Sequence, residues 1–289
     1  MKAIVVTGVS TGIGHGLAQA LCREGYKVFG TIRDPGQGEG VRTACGANFV
    51  PLLLDVTRPD DIAKAVAMVE AEVGSHGLYG LVNNAGICDP GPLSVQAIDA
   101  FDRHFEVNVT GALRMCQAFL PLLRRCDAAR PGRIVNMSSM SGKIAYPFMG
   151  AYAASKHALE ALSDSLRREL MAYGVDVIVI EPGSIDTPIW DKSAHISTSF
   201  THTDYAPLFQ YVNLGDNRKN AQPVSAVADK VILALTARRP RTRYALPDKW
   251  LLYWMLPRLL PDRILDRLID RALGITKLRD KLKAGPTTN

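Results

Sequence analysis

The sequence predicts an α/β fold: a doubly wound parallel sheet with helices on both faces, followed by a C-terminal helical appendage. Three observations carry this. Short runs rich in β-branched residues alternate with segments of helical period from the first residues onward. Those runs are continuously apolar, as strands buried on both faces must be. A glycine turn stands directly after the first run and opens the first helical segment. With 289 residues, 47% of them hydrophobic and 21% charged, the chain has enough material for a large core and the composition of an ordinary globular protein.

The elements follow in order. Ala3 to Thr7 reads as a strand, stopped by Gly8, and Ile13 to Arg23 as a helix with Leu17, Ala18, Leu21 and Cys22 on one face. Lys27 to Thr31 and Phe49 to Leu54 are the next strands, the latter ending at Asp55. Ile62 to Val73 is a helix, and Leu81–Val82 a strand before Asn83. Ala100 to Arg125 is a long helical region interrupted by Pro121 near its end. Ile134 to Met137 is a strand, Ala151 to Tyr173 a helix carrying small residues, and Val175 to Ile180 a strand stopped by Pro182-Gly183. Residues 186 to 222 are polar, aromatic and without period. Ser225 to Thr236 is a helix and Arg243 to Leu246 a last strand.

The tail is a separate feature. Trp250 to Leu260 is aromatic and apolar but shorter than the ~20 residues a bilayer requires. Beyond it, Asp-Arg pairs recur every four residues, at 262, 266 and 270. On a helix this aligns Ile264, Leu268 and Ala272, flanked by Leu265, Ile269 and Leu273, as one apolar stripe. Such a stripe must be covered, by the substrate mouth, by another copy of the chain, or by a membrane surface. Packing on the protein is the favoured reading, because the wet face carries equal acid and base, whereas interfacial helices are rich in Lys and Arg.

Five cysteines at wide spacing, with no CxxC, argue against a disulfide framework and for a reducing, cytoplasmic setting. Six scattered histidines with no HExxH make a metal site improbable, so no metal is expected. Before Gly8 there is room for neither a charged leader region nor an apolar one, and no signal peptide is expected. The net charge of +6 is too small to choose a partner by itself. Arg238, Arg239, Arg241 and Arg243 surround Pro240, but no nucleic-acid motif accompanies them, so nucleic acid is not expected.

Three motifs carry chemistry. In Thr7-Gly-Val-Ser-Thr-Gly-Ile-Gly14, glycines at 8, 12 and 14 permit a tight turn and let the backbone approach a pyrophosphate at a helix N-terminus. Asn83-Asn-Ala-Gly86 follows the fourth strand. Tyr152 and Lys156 stand four residues apart, on one face of a predicted helix, where a cation would favour the phenolate and tune the tyrosine for proton exchange.

Taken together, and with a serine upstream of the tyrosine, these motifs resemble the short-chain dehydrogenase/reductase family. Its retinol dehydrogenase and hydroxysteroid dehydrogenase branches look similar around Ala151 to Trp190. The resemblance covers residues 2 to about 190, fades in the segment 186–222 and is weak in the tail. It implies a single Rossmann-type domain over residues 1–247, with a substrate lid at about 186–222 and the amphipathic tail at 248–289. It implies an acid/base role for Tyr152, with Lys156 lowering its pKa and gripping the nicotinamide ribose. Ser139, thirteen residues before Tyr152, takes the place of the serine that orients the substrate oxygen. Asn108 takes that of the helix-kinking asparagine of a proton relay.

The resemblance further places Gly8, Ser10, Thr11, Gly12, Ile13 and Gly14 at the pyrophosphate, Asp55 and Val56 at the adenine, and Asn83, Ala85 and Gly86 beside the cofactor. Pro182, Gly183, Ile185 and Thr187 would position the nicotinamide. Ile32 falls where an NAD enzyme carries an acid, and Arg33 follows it, as suits a 2′-phosphate, so the cofactor is expected to be NADP(H). Met149 and Trp190 join Ser139 and Tyr152 as expected substrate contacts. The lid's Ile189, Trp190, Phe200, Tyr205, Leu208, Phe209 and Tyr211 suggest a steroid-, retinoid- or lipid-like ketone, aldehyde or alcohol. A homodimer or homotetramer is expected, with peripheral membrane contact as a secondary role of the tail. The competing class is a non-catalytic NADP-binding sensor. Such a protein would be expected to lack Tyr152 or Lys156, and both are present.

Overall fold

In a computed structural model, residues 1–126, 130–189, 199–209, 221–247 and 249–284 are described. Seven parallel strands form one sheet: β1 (Ala3–Val6), β2 (Lys27–Ile32), β3 (Phe49–Leu53), β4 (Gly80–Asn83), β5 (Arg133–Met137), β6 (Val177–Pro182) and β7 (Arg243–Leu246). Their order is β3-β2-β1-β4-β5-β6-β7. The chain winds outward from β1 to one edge, returns to β4 and winds to the other. The crevice between the carboxyl ends of β1 and β4 is the switch point where open α/β sheets bind ligands.

Alternation along the strands sends side chains to two cores. Ile4 and Val6 face one, under α1 (Gly12–Arg23), α2 (Glu39–Cys45) and a helix near the C-terminus, Val224–Thr236. Val5 faces the other, with Phe29, Leu52, Ile62, Met115, Phe119 and Ile134, under α3 (Pro59–Val73), α5 (Gly111–Arg124) and α6 (Gly150–Glu169), while α4 (Ile98–Phe105) packs on α6. The helix at Val224–Thr236 is α7. Strand burial is nearly complete, which is why these runs read as continuously apolar.

Three elements differ from their sequence expectation. The short α2 has only Val41 buried, too weak a period to stand out. The helical region around Asn108 is α4 and α5 joined by a π-turn at Glu106–Thr110, and α5 runs through Pro121 to Arg124. Beyond α6, residues Leu170–Tyr173 tighten into a 3-10 turn that ends at Gly174, whose φ of 67° suits glycine.

The tail is helical: a π-turn at Trp250–Met255, α8 (Leu256–Leu259), α9 (Asp262–Leu273) and α10 (Ile275–Ala284). Its stripe divides. Leu265, Ile269 and Leu273 are half-buried, while Ile264, Leu268 and Ala272 are exposed. Leu273 and Leu278 pack with Phe148, Leu208 and Phe209, so α9 and α10 close over the described part of the lid. Phe148 holds this cluster at φ 67°, an unusual conformation for a bulky residue, with Tyr205 and Phe209 edge-on to its ring. No described helix is long and apolar enough to cross a membrane.

Candidate active site

β1 runs straight into the glycine turn. Gly8 and Gly12 have φ of 70° and 60°, which a side chain resists. Gly14 is fixed by space: a Cβ there would lie 2.1 Å from the Gly8 carbonyl oxygen. α1 then starts with Thr11 extended and no side chain capping its first N–H groups. That is the cradle a pyrophosphate requires, so the residues fit a dinucleotide. Ser10 and Ile13 are half-buried along the turn, and Thr11 is exposed.

The side chains of Thr7, Thr31 and Asn84 hold the turn in place. The Gly8 N–H donates to Thr31 Oγ1 at 2.9 Å. Thr7 Oγ1 accepts from the backbone N–H groups of Asn84 and Ala85 at 2.9 and 2.8 Å. Asn84 Nδ2 donates to the carbonyls of Thr7 and Gly8 at 2.9 and 3.1 Å, tying the turn to the end of β4. The side chain of Asn83, the first residue of the segment expected beside the cofactor, points into the core. It donates to Asn136 Oδ1 at 2.9 Å and contacts Cys116 Sγ at 3.2 Å. Asn83 ends a strand whose register pairs it with Asn136, so the two share the inward face.

Ile32 is buried, and Arg33 is exposed with no ion pair among the described residues. Asp34 is turned away to accept from the Gly36 N–H at 3.0 Å. Asp55 accepts from the N–H and hydroxyl of Thr57 at 2.9 and 2.8 Å, which sets the loop before α3. Val56 is buried against Gly111, where a Cβ would lie 2.8 Å from Val56 Cγ2. On the far side of the crevice, Pro182 is buried, the Gly183 N–H donates to the Leu246 carbonyl, and Ile185 bridges to Gln222. Thr187 is buried 3.4 Å from where a Gly12 Cβ would stand, so the segment after β6 meets the glycine turn.

The catalytic candidates converge at the carboxyl end of β5. Ser139 leaves that strand extended, and its Oγ accepts from the Ser141 N–H at 3.1 Å. The Tyr152 phenol, in the first turn of α6, stands near enough to Ser139 for the serine to favour its ionised form. Lys156, a turn further on, is buried and donates from Nζ to the Met137 carbonyl at 2.8 Å. Its Nζ lies 5.7 Å from the centre of the Tyr152 ring. At Asn108 the π-turn turns the side chain inward. Asn108 Oδ1 accepts from the Ile87 N–H at 2.8 Å, and Nδ2 donates to the Ile87 carbonyl and Ser155 Oγ, both at 3.0 Å. Ser155 Oγ donates to the Tyr152 carbonyl at 2.7 Å, so a buried serine the motif passes over links Asn108 to the tyrosine's own helical turn. A Cβ on Gly86 would lie 3.2 Å from Asn108 Oδ1 and 3.6 Å from Lys156 Nζ, so glycine keeps this space open. Met149 is buried just before α6, and Trp190 lies outside the described residues.

Burial pushes the Tyr152 phenol up, Cys88 adds to this, and Ser139 opposes it. The Lys156 ammonium is held by Met137, and burial lowers its pKa to about 8. At neutral pH the phenol therefore keeps its proton, the state a general acid needs. His104, fully buried, is held below its usual range by burial. Its Nδ1–H donates to the Ala100 carbonyl, and Nε2 accepts from the Asp89 N–H at 3.0 Å, which fixes the loop after Gly86.

Beneath Lys156 lies a charged layer that no motif announces. Lys143 Nζ and Arg243 Nε stand 2.8 and 2.9 Å from Glu160 Oε2, and Arg243 Nη2 stands 2.9 Å from Asp164 Oδ1. Glu181, buried on β6, lies 3.9 and 3.5 Å from the same two cations, and neither of its oxygens accepts a hydrogen bond. Burial, then the Glu160 charge, raises Glu181 to about 7, whereas Lys143, Ser138 and Arg243 outweigh burial at Glu160 and hold it low.

A glycine cradle at the switch point and a Ser139–Tyr152–Lys156 cluster beside it define a nicotinamide-dependent oxidoreductase site. The comparisons agree. A family model described as short chain dehydrogenase matches residues 2–196, and the chain belongs to that family. A curated relative, the NADPH-dependent 3-dehydrocapnine reductase of Ornithobacterium rhinotracheale, is 37% identical over 256 residues, 88% of this chain and 90% of its own length. Retinol dehydrogenase 16 of Mus musculus is 36% identical over 259 residues, 84% of this chain and 80% of its own. Among solved structures, a short-chain dehydrogenase from Streptomyces avermitilis superposes with a TM-score of 0.73 at 26% identity, covering 99% of this chain and 98% of its own.

Proposed function

We propose that the protein is an NADP(H)-dependent oxidoreductase that interconverts a ketone or aldehyde and an alcohol on a hydrophobic substrate. The observation that carries this reading is buried Lys156 5.7 Å from the centre of the Tyr152 ring, with Ser139 at the end of β5 beside them, at the crevice that the glycine turn opens. When bound, the nicotinamide exchanges a hydride with the substrate carbon. Tyr152, protonated at neutral pH, would give its proton to the oxygen of a ketone; in the reverse direction its phenolate would take the proton of an alcohol. Ser139 supplies a hydroxyl to the same oxygen as charge develops there. Lys156 holds a positive charge behind the phenol and offers donors to the ribose. Asn108, through Ser155 and Ile87, keeps the helical turn and the loop after Gly86 in register.

Cofactor choice rests on the end of β2. A buried Ile32 replaces the acid that would hold a 2′-hydroxyl, Asp34 is engaged with Gly36, and exposed Arg33 is available to a 2′-phosphate. The relative whose name specifies NADPH supports the same choice. Substrate class rests on the cluster of Phe148, Leu208, Phe209 and Leu278 adjoining Met149, and on relatives named for retinol. The measurement is kcat/KM with NADPH and NADH for a panel of apolar ketones. The wild type should favour NADPH, and Arg33→Asp should reverse the order, since an acid repels the phosphate and accepts from a 2′-hydroxyl. A wild type that favours NADH contradicts the reading of β2.

A further inference from the structure

The charge of this chain is segregated. Between residues 238 and 284 there are thirteen Lys and Arg against five Asp, and no Glu. The rest of the chain holds 21 basic residues against 23 acidic. The whole basic excess therefore belongs to the loop before β7 and to the tail. In the structure these two pieces meet around a cavity of about 350 Å³, whose wall holds four cations, Lys230, Arg241, Arg243 and Arg258, one carboxylate, Glu181, and the indoles of Trp250 and Trp254. Ser139, Tyr152 and Lys156 do not line it.

Of the four cations, only Arg243 is neutralised, by the buried carboxylates. Lys230 and Arg241 are exposed and form no ion pair among the described residues, and Arg258 lies over the Trp254 ring at 4.7 Å. Convergent like charges repel, and an anion between them relieves that repulsion. The rim is apolar. Trp250 is 56% exposed, Leu251 61% and Leu259 70%. A soluble anion would leave such residues in water, whereas a bilayer takes indole and leucine at headgroup depth beside the phosphates.

We infer that this cavity is a docking site for the phosphate headgroups of an anionic lipid bilayer, with Trp250, Leu251 and Leu259 inserted beside them. Equal acid and base along α9 does not weigh against this, because the cations concerned lie on α7, the loop before β7 and α8. The site is independent of the substrate, and its test does not require turnover.

The test is co-sedimentation of the full chain with vesicles of phosphatidylcholine alone, or with one third phosphatidylglycerol, at low and high salt. The expected result is binding to the anionic vesicles only, lost at high salt. Lys230→Gln with Arg241→Gln should weaken it on the order of 25-fold, at about fivefold per cation near an anionic surface. Arg238→Gln with Arg239→Gln, which removes as much charge outside the cavity, should weaken it less. Trp250→Ala should weaken binding to the same vesicles, and all variants should keep the wild-type far-UV CD spectrum and melting temperature. Equal binding to both vesicle types, equal loss in the two double variants, or binding of inorganic phosphate or RNA without vesicles would each overturn the assignment.

Discussion

Lys156 shows how far burial governs single residues here. Its ammonium has one carbonyl partner and almost no water, which is why its pKa falls to about 8. A base whose pKa is lower folded than unfolded binds fewer protons in the native state. Wild-type stability therefore rises with pH through the window from about 8 to 10.5. At pH 7 the burial penalty is present in full. Lys156→Met should abolish turnover yet leave the protein at least as stable as wild type at pH 7, with the difference shrinking toward pH 10. Thermal melts at both pH values measure this. A large loss of stability at pH 7 would show the ammonium to be a structural anchor. Tyr152, Lys156 and Ser139, which the motif singles out, lie together in the structure, because spacing on a helix and after a strand fixes where side chains go. The motif did not show that the Asn83 side chain turns into the core. That depends on strand parity, which the Asn83–Asn136 register sets. Thr7 and Ser155 escaped notice because small hydroxyl residues carry no periodic signal.

At the scale of elements, α6 and β6 enclose the pair Glu160 and Glu181, with Lys143 and Arg243 between their carboxylates. With Asp164 also on Arg243, three carboxylates share two cations, and Glu181 accepts no hydrogen bond and has its pKa raised to about 7. An acid with a raised folded pKa binds more protons in the native state. Stability therefore falls as pH rises from about 4.5 to 7. Glu181→Gln should remove this fall. Relative to wild type, the variant should gain on the order of 2–3 kcal/mol between pH 5 and pH 8, measured by urea denaturation at each pH. A wild-type profile flat across that window would mean Glu181 stays ionised and paired. None of this layer could be read from the sequence, since its members lie far apart along the chain and meet only when α6 packs on the sheet. The strands were legible because burial on both faces leaves an uninterrupted apolar run. α2, with a single buried valine, was not.

For the whole molecule, the tail is the feature least defined by sequence. Its stripe predicted a covered face, and the structure covers half of it: Leu265, Ile269 and Leu273 inward, Ile264 and Leu268 outward. Helical period shows which residues share a face. It does not show how wide the partner surface is. Leu278 joins α10 to Phe148 and the lid at 8% exposure. Leu278→Ala should loosen this closure by roughly 2 kcal/mol. It should speed limited proteolysis of the tail and raise KM for bulky apolar substrates far more than it changes NADPH affinity. Equal protease resistance and unchanged KM would mean the tail packs on the lid without shaping the substrate site.

The account centres on Tyr152 as the proton donor of an NADP(H)-dependent oxidoreductase. Tyr152→Phe removes one oxygen from a half-buried ring that takes no part in the glycine cradle. The direct measurement is steady-state turnover of NADPH with an apolar ketone, alongside NADPH binding by fluorescence. The account predicts that kcat falls by about 10²–10⁴-fold while NADPH affinity stays within a few-fold of wild type. A variant that turns over at a rate near wild type would contradict it.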